Sequence, residues 1–268
     1  MPIRILVSAF LLFAASAVPA EWLLSAPPRE SAAEAERMYR PLADKLSQIV
    51  GEAVVFESPA SWATYSRDIQ QGKYDFVIDG PHFVAWRIKH SGHTPLVRFD
   101  GHLGYTAFTA QEGPATLDEL RFEKVCSMAS PNLAAVVLLA QYDAYSAPAI
   151  LAPRGGVRGA WEAYLQGRCR AVILPSYFLT RLMPEQTAGL RALFSSTDMP
   201  NLTLTAGPRV PAEARAAVTD VLVEPGAWGG LEDLLARLAG NGTGKLIPAT
   251  TADYRGHEKL LEGLVWGW

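Results

Sequence analysis

An α/β fold is what this sequence predicts, and three neighbouring observations carry the prediction. Met38, Leu42, Leu46 and Ile49 recur at helical spacing, and the short apolar strand Val54–Phe56 follows them. A polar helix from Trp62 to Gln71 is stopped by Gly72, and Tyr74–Ile78 then reads as a buried strand. That strand ends in Asp79-Gly80-Pro81-His82, a tight turn that opens another helix. In an open parallel sheet, ligands collect where strands end at their carboxyl edge and helices begin. Gly80, Pro81, His82 and Phe83 are therefore the first candidates for contact with a small molecule.

The elements before this block follow in order. Residues 1–20 read as an export leader: Met1-Pro2-Ile3-Arg4 is a short basic start, Ile5–Ala17 an apolar run, and Val18-Pro19-Ala20 a cleavage site after Ala20. The run is shorter than the ~20 residues that span a bilayer, which argues against a membrane anchor. No cysteine follows the run, so no lipid anchor is expected, and the reading is export to a periplasm. Trp22-Leu23-Leu24-Ser25 is a first strand, and Ser31 an N-cap for the Ala- and Glu-rich helix beyond it.

Beyond His90, Gly104–Ala110 is an extended apolar run, read as a strand crossing into a second unit. Thr116–Leu120 resembles a short capped helix, Val125-Cys126-Ser127 ends a strand, and Pro131–Tyr142 is a helix with proline in its first turn. A helix over Trp161–Gly167 and a strand over Cys169–Leu174 come next. Leu202–Thr205 is the expected return crossing, and Ala212–Leu222 and Glu258–Leu264 are closing helices.

Composition narrows the function. Without Arg4 the chain carries 23 basic against 27 acidic side chains, a net charge of −4. There is no basic block or aromatic-basic stripe, which argues against a nucleic-acid partner. Two cysteines without CxxC spacing and five scattered histidines lie far from ligand spacing, so no metal or cofactor is expected. GxSxG, HExxH, GxGxxG and P-loop motifs are all missing, and the chain reads as a non-enzyme. On paper Ser130, His82 and Asp79 make a triad, but no motif holds the serine on a strained turn.

The ordered segments resemble a known family. Arg40-Pro41-Leu42-Ala43 opening a long helix, Gly72-Lys73-Tyr74-Asp75 before a strand, and Gly80-Pro81-His82-Phe83 after it are similar to the PhnD-like phosphonate/phosphite-type solute-binding proteins of ABC transporters. Asp253-Tyr254-Arg255-Gly256 before a Leu-rich helix extends the likeness to the end of the chain. The resemblance implies a type II-like periplasmic binding protein, monomeric, with two α/β lobes, each a mixed and mainly parallel sheet flanked by helices. The first lobe is then residues 21–107 and 205–268, and the second 108–204. It implies a small solute held in the interlobe cleft by closure, and a membrane-embedded permease as partner. A sensory relative docking on a receptor or kinase is the alternative. It also puts the strands at Cys126 and Cys169 in one lobe, where the pair is either a disulfide or two buried thiols.

In this family an oxyanion is gripped by a Ser/Thr-rich turn at a second-lobe helix start, where free N–H groups, hydroxyls and the helix dipole face it. The matching turn keeps Ser127, Ser130 and Asn132, with Met128, Ala129 and Pro131 interrupting the family's Ser-Thr-Ser-Gly pattern. Trp62 and Tyr65 match the place where the family sets an aromatic against its ligand, or else pack in the core. His82 faces the ligand or packs in its helix start, and Asp79 fixes that ring, binds an amine or caps the helix. Ser176 and Tyr177 end a second-lobe strand and close over the ligand, while Arg29 and Glu30 read as solvated residues at the third cleft edge.

Overall fold

The computed structural model describes residues 21–179, 181–182, 187–224 and 226–262. The expected leader and residues 263–268, which include the end of the last expected helix, lie outside them. Two mixed sheets organise the chain. In the first, β1 (Trp22–Ser25) runs parallel to β2 (Val54–Glu57) and β3 (Phe76–Asp79), while β12 (Thr203–Ala206) runs antiparallel to β3 and to β4 (Thr94–Phe99), which pairs with β13 (Leu246–Pro248). In the second, β7 (Lys124–Cys126) runs parallel to β8 (Ala149–Leu151) and β9 (Ala171–Pro175), and β6 (Tyr105–Ala110) lies antiparallel between β9 and β10 (Leu190–Ser195).

The helix expected to open at Arg40 begins earlier. α1 spans Ala32–Val50 and runs through Pro41. Ser31 starts it with a capping box, in which its hydroxyl meets the Glu34 N–H and the Glu34 carboxylate returns to the Ser31 N–H. Its buried stripe, Tyr39, Leu42, Ala43 and Leu46, packs on the first sheet with α7 (Ala212–Val223) and α8 (Glu232–Leu238). α2 (Trp62–Gln70) is capped by the Ser61 hydroxyl, and α3 (Pro81–His90) starts directly from β3 with Gly80 as its N-cap.

The crossings fall one element outside the expected strands. β6 pairs wholly within the second sheet and β12 wholly within the first, so limits at 107/108 and 204/205 would cut both strands. The chain passes between lobes at β5 (His102–Leu103) and β11 (Met199–Pro200), which pair with each other as an antiparallel ribbon. Leu103 and Met199 also join an apolar cluster that runs from Tyr65, Val77 and Phe83 to Tyr105, Leu133 and Ile173.

In the second lobe the helix expected over Pro131–Tyr142 is shorter. α4 is Leu133–Leu139, and Asn132 is its N-cap, accepting the Ala134 N–H at 3.1 Å, so Pro131 lies before the helix. α5 (Gly156–Leu165) and the short α6 (Ser176–Leu179) follow in this lobe, and the short helix expected over Thr116–Leu120 is a 3-10 turn at Asp118–Leu120. Cys126 and Cys169 form a disulfide with Cα atoms 5.6 Å apart, settling the open alternative. The stretch expected to open the closing helix at Glu258 is a 3-10 turn over His257–Leu260.

Candidate functional site

A cleft of about 360 Å³ lies between the lobes. The first lobe contributes Arg29, Glu30, Trp62, Gly80 and His82, and the second Tyr105, Met128, Ala129, Asn132 and Tyr177. Leu103 of the ribbon and Arg237 and Leu238 of α8 close the outline. Trp62, Gly80, His82, Asn132 and Tyr177 thus meet around one cavity, whereas Tyr65, Pro81, Phe83, Ser127 and Ser130 do not line it.

His82 spans the gap. It projects from the first turn of α3, is 1 % exposed, and its Nε2 lies 3.0 Å from the carbonyl oxygen of Pro131 in the other lobe. Burial lowers its pKa to about 4, so the ring is neutral near pH 7. Its Nδ1 has no hydrogen-bond partner among the described residues. Gly80 makes room for this ring: a Cβ there would meet His82 Cε1 at 3.0 Å and Nδ1 at 3.1 Å.

Asp79 neither fixes that ring nor stands free for an amine. Arg87 holds both of its oxygens, at 2.7 and 2.8 Å, and Tyr65 donates its hydroxyl to the same carboxylate. Tyr65 is fully buried, packed edge-on to Phe83 at 5.5 Å, and burial raises its phenol well above the ordinary value. Trp62 also stacks on Phe83, with centroids 6.2 Å apart, meets the Tyr65 ring edge-on at 6.0 Å, and of Trp62 and Tyr65 is the one that reaches the cleft. With His82 Nε2 on Pro131 and Asp79 on Arg87, the Ser130–His82–Asp79 arrangement is not assembled.

The Ser127–Asn132 turn faces the cleft through Met128, Ala129 and Asn132. The Ser127 and Ser130 hydroxyls are buried without a partner among the described residues. Ser176 bonds Thr106 at 2.9 Å instead of reaching the cavity, and the Tyr177 ring carries the Arg181 guanidinium 4.9 Å from its centre.

Arg29 and Glu30 line the cleft rather than merely bordering it. Arg237 lies 3.3 Å from one Glu30 oxygen, and the other oxygen, Oε2, is buried without a partner among the described residues. Arg29 makes no side-chain hydrogen bond or ion pair among the described residues. Arg237 and Tyr105 were not anticipated from the sequence. The signal for Arg237 was present in Leu231, Leu234, Leu235 and Leu238, whose spacing marks an amphipathic helix.

The family model described as "ABC transporter, phosphonate, periplasmic substrate-binding protein" matches residues 24–254. The chain belongs to this family. No curated protein matches it significantly. Among solved structures, a Xanthomonas citri protein bound to ATP is similar with a TM-score of 0.67 and 14 % identity, over 90 % of this chain and 95 % of that one. A binding component of an ABC phosphonate transporter from Pseudomonas aeruginosa has a TM-score of 0.63 at 13 % identity, over 91 % of this chain and 86 % of that one. PhnD1 from Prochlorococcus marinus in complex with methylphosphonate has a TM-score of 0.63 at 12 % identity, covering 91 % and 98 %. Likeness at this identity concerns the fold: phosphonate-family members are two-lobed, and this one has that architecture. Membership makes the chain a periplasmic substrate-binding component, with a small-molecule solute and a membrane permease as partners.

Proposed function

We propose that the interlobe cleft captures a small anionic solute, a phosphonate or related oxyanion, and that closure over it presents the loaded protein to its permease. One observation carries this reading: partnerless polar groups gather at one cavity. His82 Nδ1 and Glu30 Oε2, on residues that line the cavity, are buried without partners among the described residues, and the Arg29 guanidinium stands unpaired beside them; the partnerless Ser127 and Ser130 hydroxyls lie in the adjoining turn and off the cavity wall. Buried polar atoms are nearly always satisfied, so such a gathering fits a site completed by its ligand. Arg29 and Arg237 supply charge, Asn132 an amide, and Trp62 a flat apolar wall.

In this reading the first lobe runs to the β5/β11 ribbon and resumes after it, and bending there opens the cleft. Residues 1–20 are a leader cleaved after Ala20, and the mature protein works in the periplasm as a monomer, with neither catalysis nor nucleic-acid binding. Native mass spectrometry of the purified protein, then a thermal-shift panel of phosphonates, phosphite, phosphate, sulfonates and ATP, tests the proposal. A binder at ~100 times its Kd adds about 2.7 kcal/mol of stability. No shift with any anion, and no co-purifying solute, would reject the anion site.

A further inference from the structure

Carbonyl oxygens only accept hydrogen bonds, so the 3.0 Å contact between His82 and Pro131 fixes a proton on Nε2. A neutral imidazole has a single N–H, and burial keeps this ring neutral. Nδ1 is therefore a bare lone pair. It is buried without a protein partner on a ring that is 1 % exposed and lines the cleft, and the missing side chain of Gly80 leaves its flank clear. The charged groups around it are Asp79 on β3, Arg87 on α3 and Arg29 on the loop after β1. Asp79 and Arg87 satisfy each other, and nothing among the described residues donates to Nδ1.

A lone pair facing a fully ionised oxygen is repulsive, whereas one facing O–H or N–H gains a hydrogen bond. We infer that His82 is the specificity-determining residue of the cleft: its Nδ1 accepts a hydrogen bond from a hydroxyl or amino group of the bound anion, and discriminates against anions that lack such a donor. The contact to Pro131 joins the lobes, so the closed form is the one that fixes the acceptor. This rests on the reading of the cleft as an anion site.

Matched pairs differing in one donor test it: methylphosphonate with hydroxymethylphosphonate and aminomethylphosphonate, acetate with glycolate, and methanesulfonate with hydroxymethanesulfonate. Titrations are run where the phosphonates are fully ionised. In at least one pair the donor-bearing member should bind at least about tenfold more tightly to wild type. That ratio should fall to near one in His82→Leu. It should survive in part in His82→Gln, whose amide can donate to Pro131 and still offer an oxygen. Equal affinities within every binding pair, or a preference that persists in His82→Leu, overturns the inference. If no member of any pair binds, the anion-site reading falls, and nitrogen NMR of histidine-labelled protein decides the residue alone. A bare Nδ1 with protonated Nε2 at neutral pH supports the assignment; an Nδ1–H or doubly protonated ring overturns it.

Discussion

Arg87 grips Asp79 with two parallel hydrogen bonds of 2.7 and 2.8 Å in a setting where neither side chain is more than 1 % exposed. The pair ties the end of β3 to the middle of α3 and sets the angle at which the turn carrying Gly80 and His82 enters the cleft. Taking one partner away leaves a buried charge uncompensated, which typically costs 3–5 kcal/mol. Arg87→Met and Asp79→Asn should each destabilise by about that much in urea unfolding, and Tyr65→Phe by about 1–3 kcal/mol. Single variants that unfold like wild type would contradict the pairing.

Acid should loosen the protein in a defined window. His82 has a folded pKa of about 4 against an ordinary ~6.5, so between those values the unfolded chain binds more protons. Its contribution is complete above about pH 6.5 and is lost as pH falls towards 4, on the order of 3 kcal/mol in all. His93, lowered to about 3 by burial and then by Arg87, acts in the same direction. Carboxylates also weaken the fold in acid, so the difference between wild type and His82→Gln isolates the ring. The gap in unfolding free energy between the two should change between pH 7 and pH 5, and a constant gap would contradict it.

The disulfide between Cys126 and Cys169 closes a separation of 43 residues beside the Ser127 turn. Loop-closure entropy gives it about 4 kcal/mol. The double variant Cys126→Ser, Cys169→Ser should lose up to that amount, read as a lowered denaturant midpoint. It should also weaken solute binding, because Met128 and Ala129 lie two and three residues past the end of the strand the bond secures.

Arg29 is exposed, so Arg29→Ala should move stability by no more than about 0.5 kcal/mol. A charged hydrogen bond is worth about 1.5–3 kcal/mol, so affinity for an anion should drop roughly ten- to hundredfold. Calorimetry on the anion selected by the thermal-shift panel checks both halves. Unchanged affinity would remove Arg29 from the site.

Strong local signals were readable in the sequence: the helical period through Met38–Ile49, the Gly72 stop, and the turn at Gly80 each survive as elements. β4 was missed because Thr94-Pro95 looks like a loop, although Leu96, Val97 and Phe99 beyond it are buried within a sheet. Pro131 suggested a helix start, but the Asn132 side chain captures the cap and shortens α4. At the site, Gly80 and His82 were legible because a strand ends there. Tyr65 and Asp79 misled because their partner, Arg87, stands two turns along a helix, and a sequence does not announce which buried charge it will meet. Arg237 arrives from residues far along the chain, through packing of α8 on α1.

The ribbon of β5 and β11 has a consequence for how long a solute stays. Two independent tethers would let the lobes slide and swivel about several axes. Strands hydrogen-bonded to each other behave as a single strap, and bending across it is the soft motion that remains. Residence time then depends on contacts made across the cleft, such as His82 to Pro131, and not on the slack of the crossings. Solutes that complete those contacts would leave slowly even where their arrival is no faster than that of their rivals.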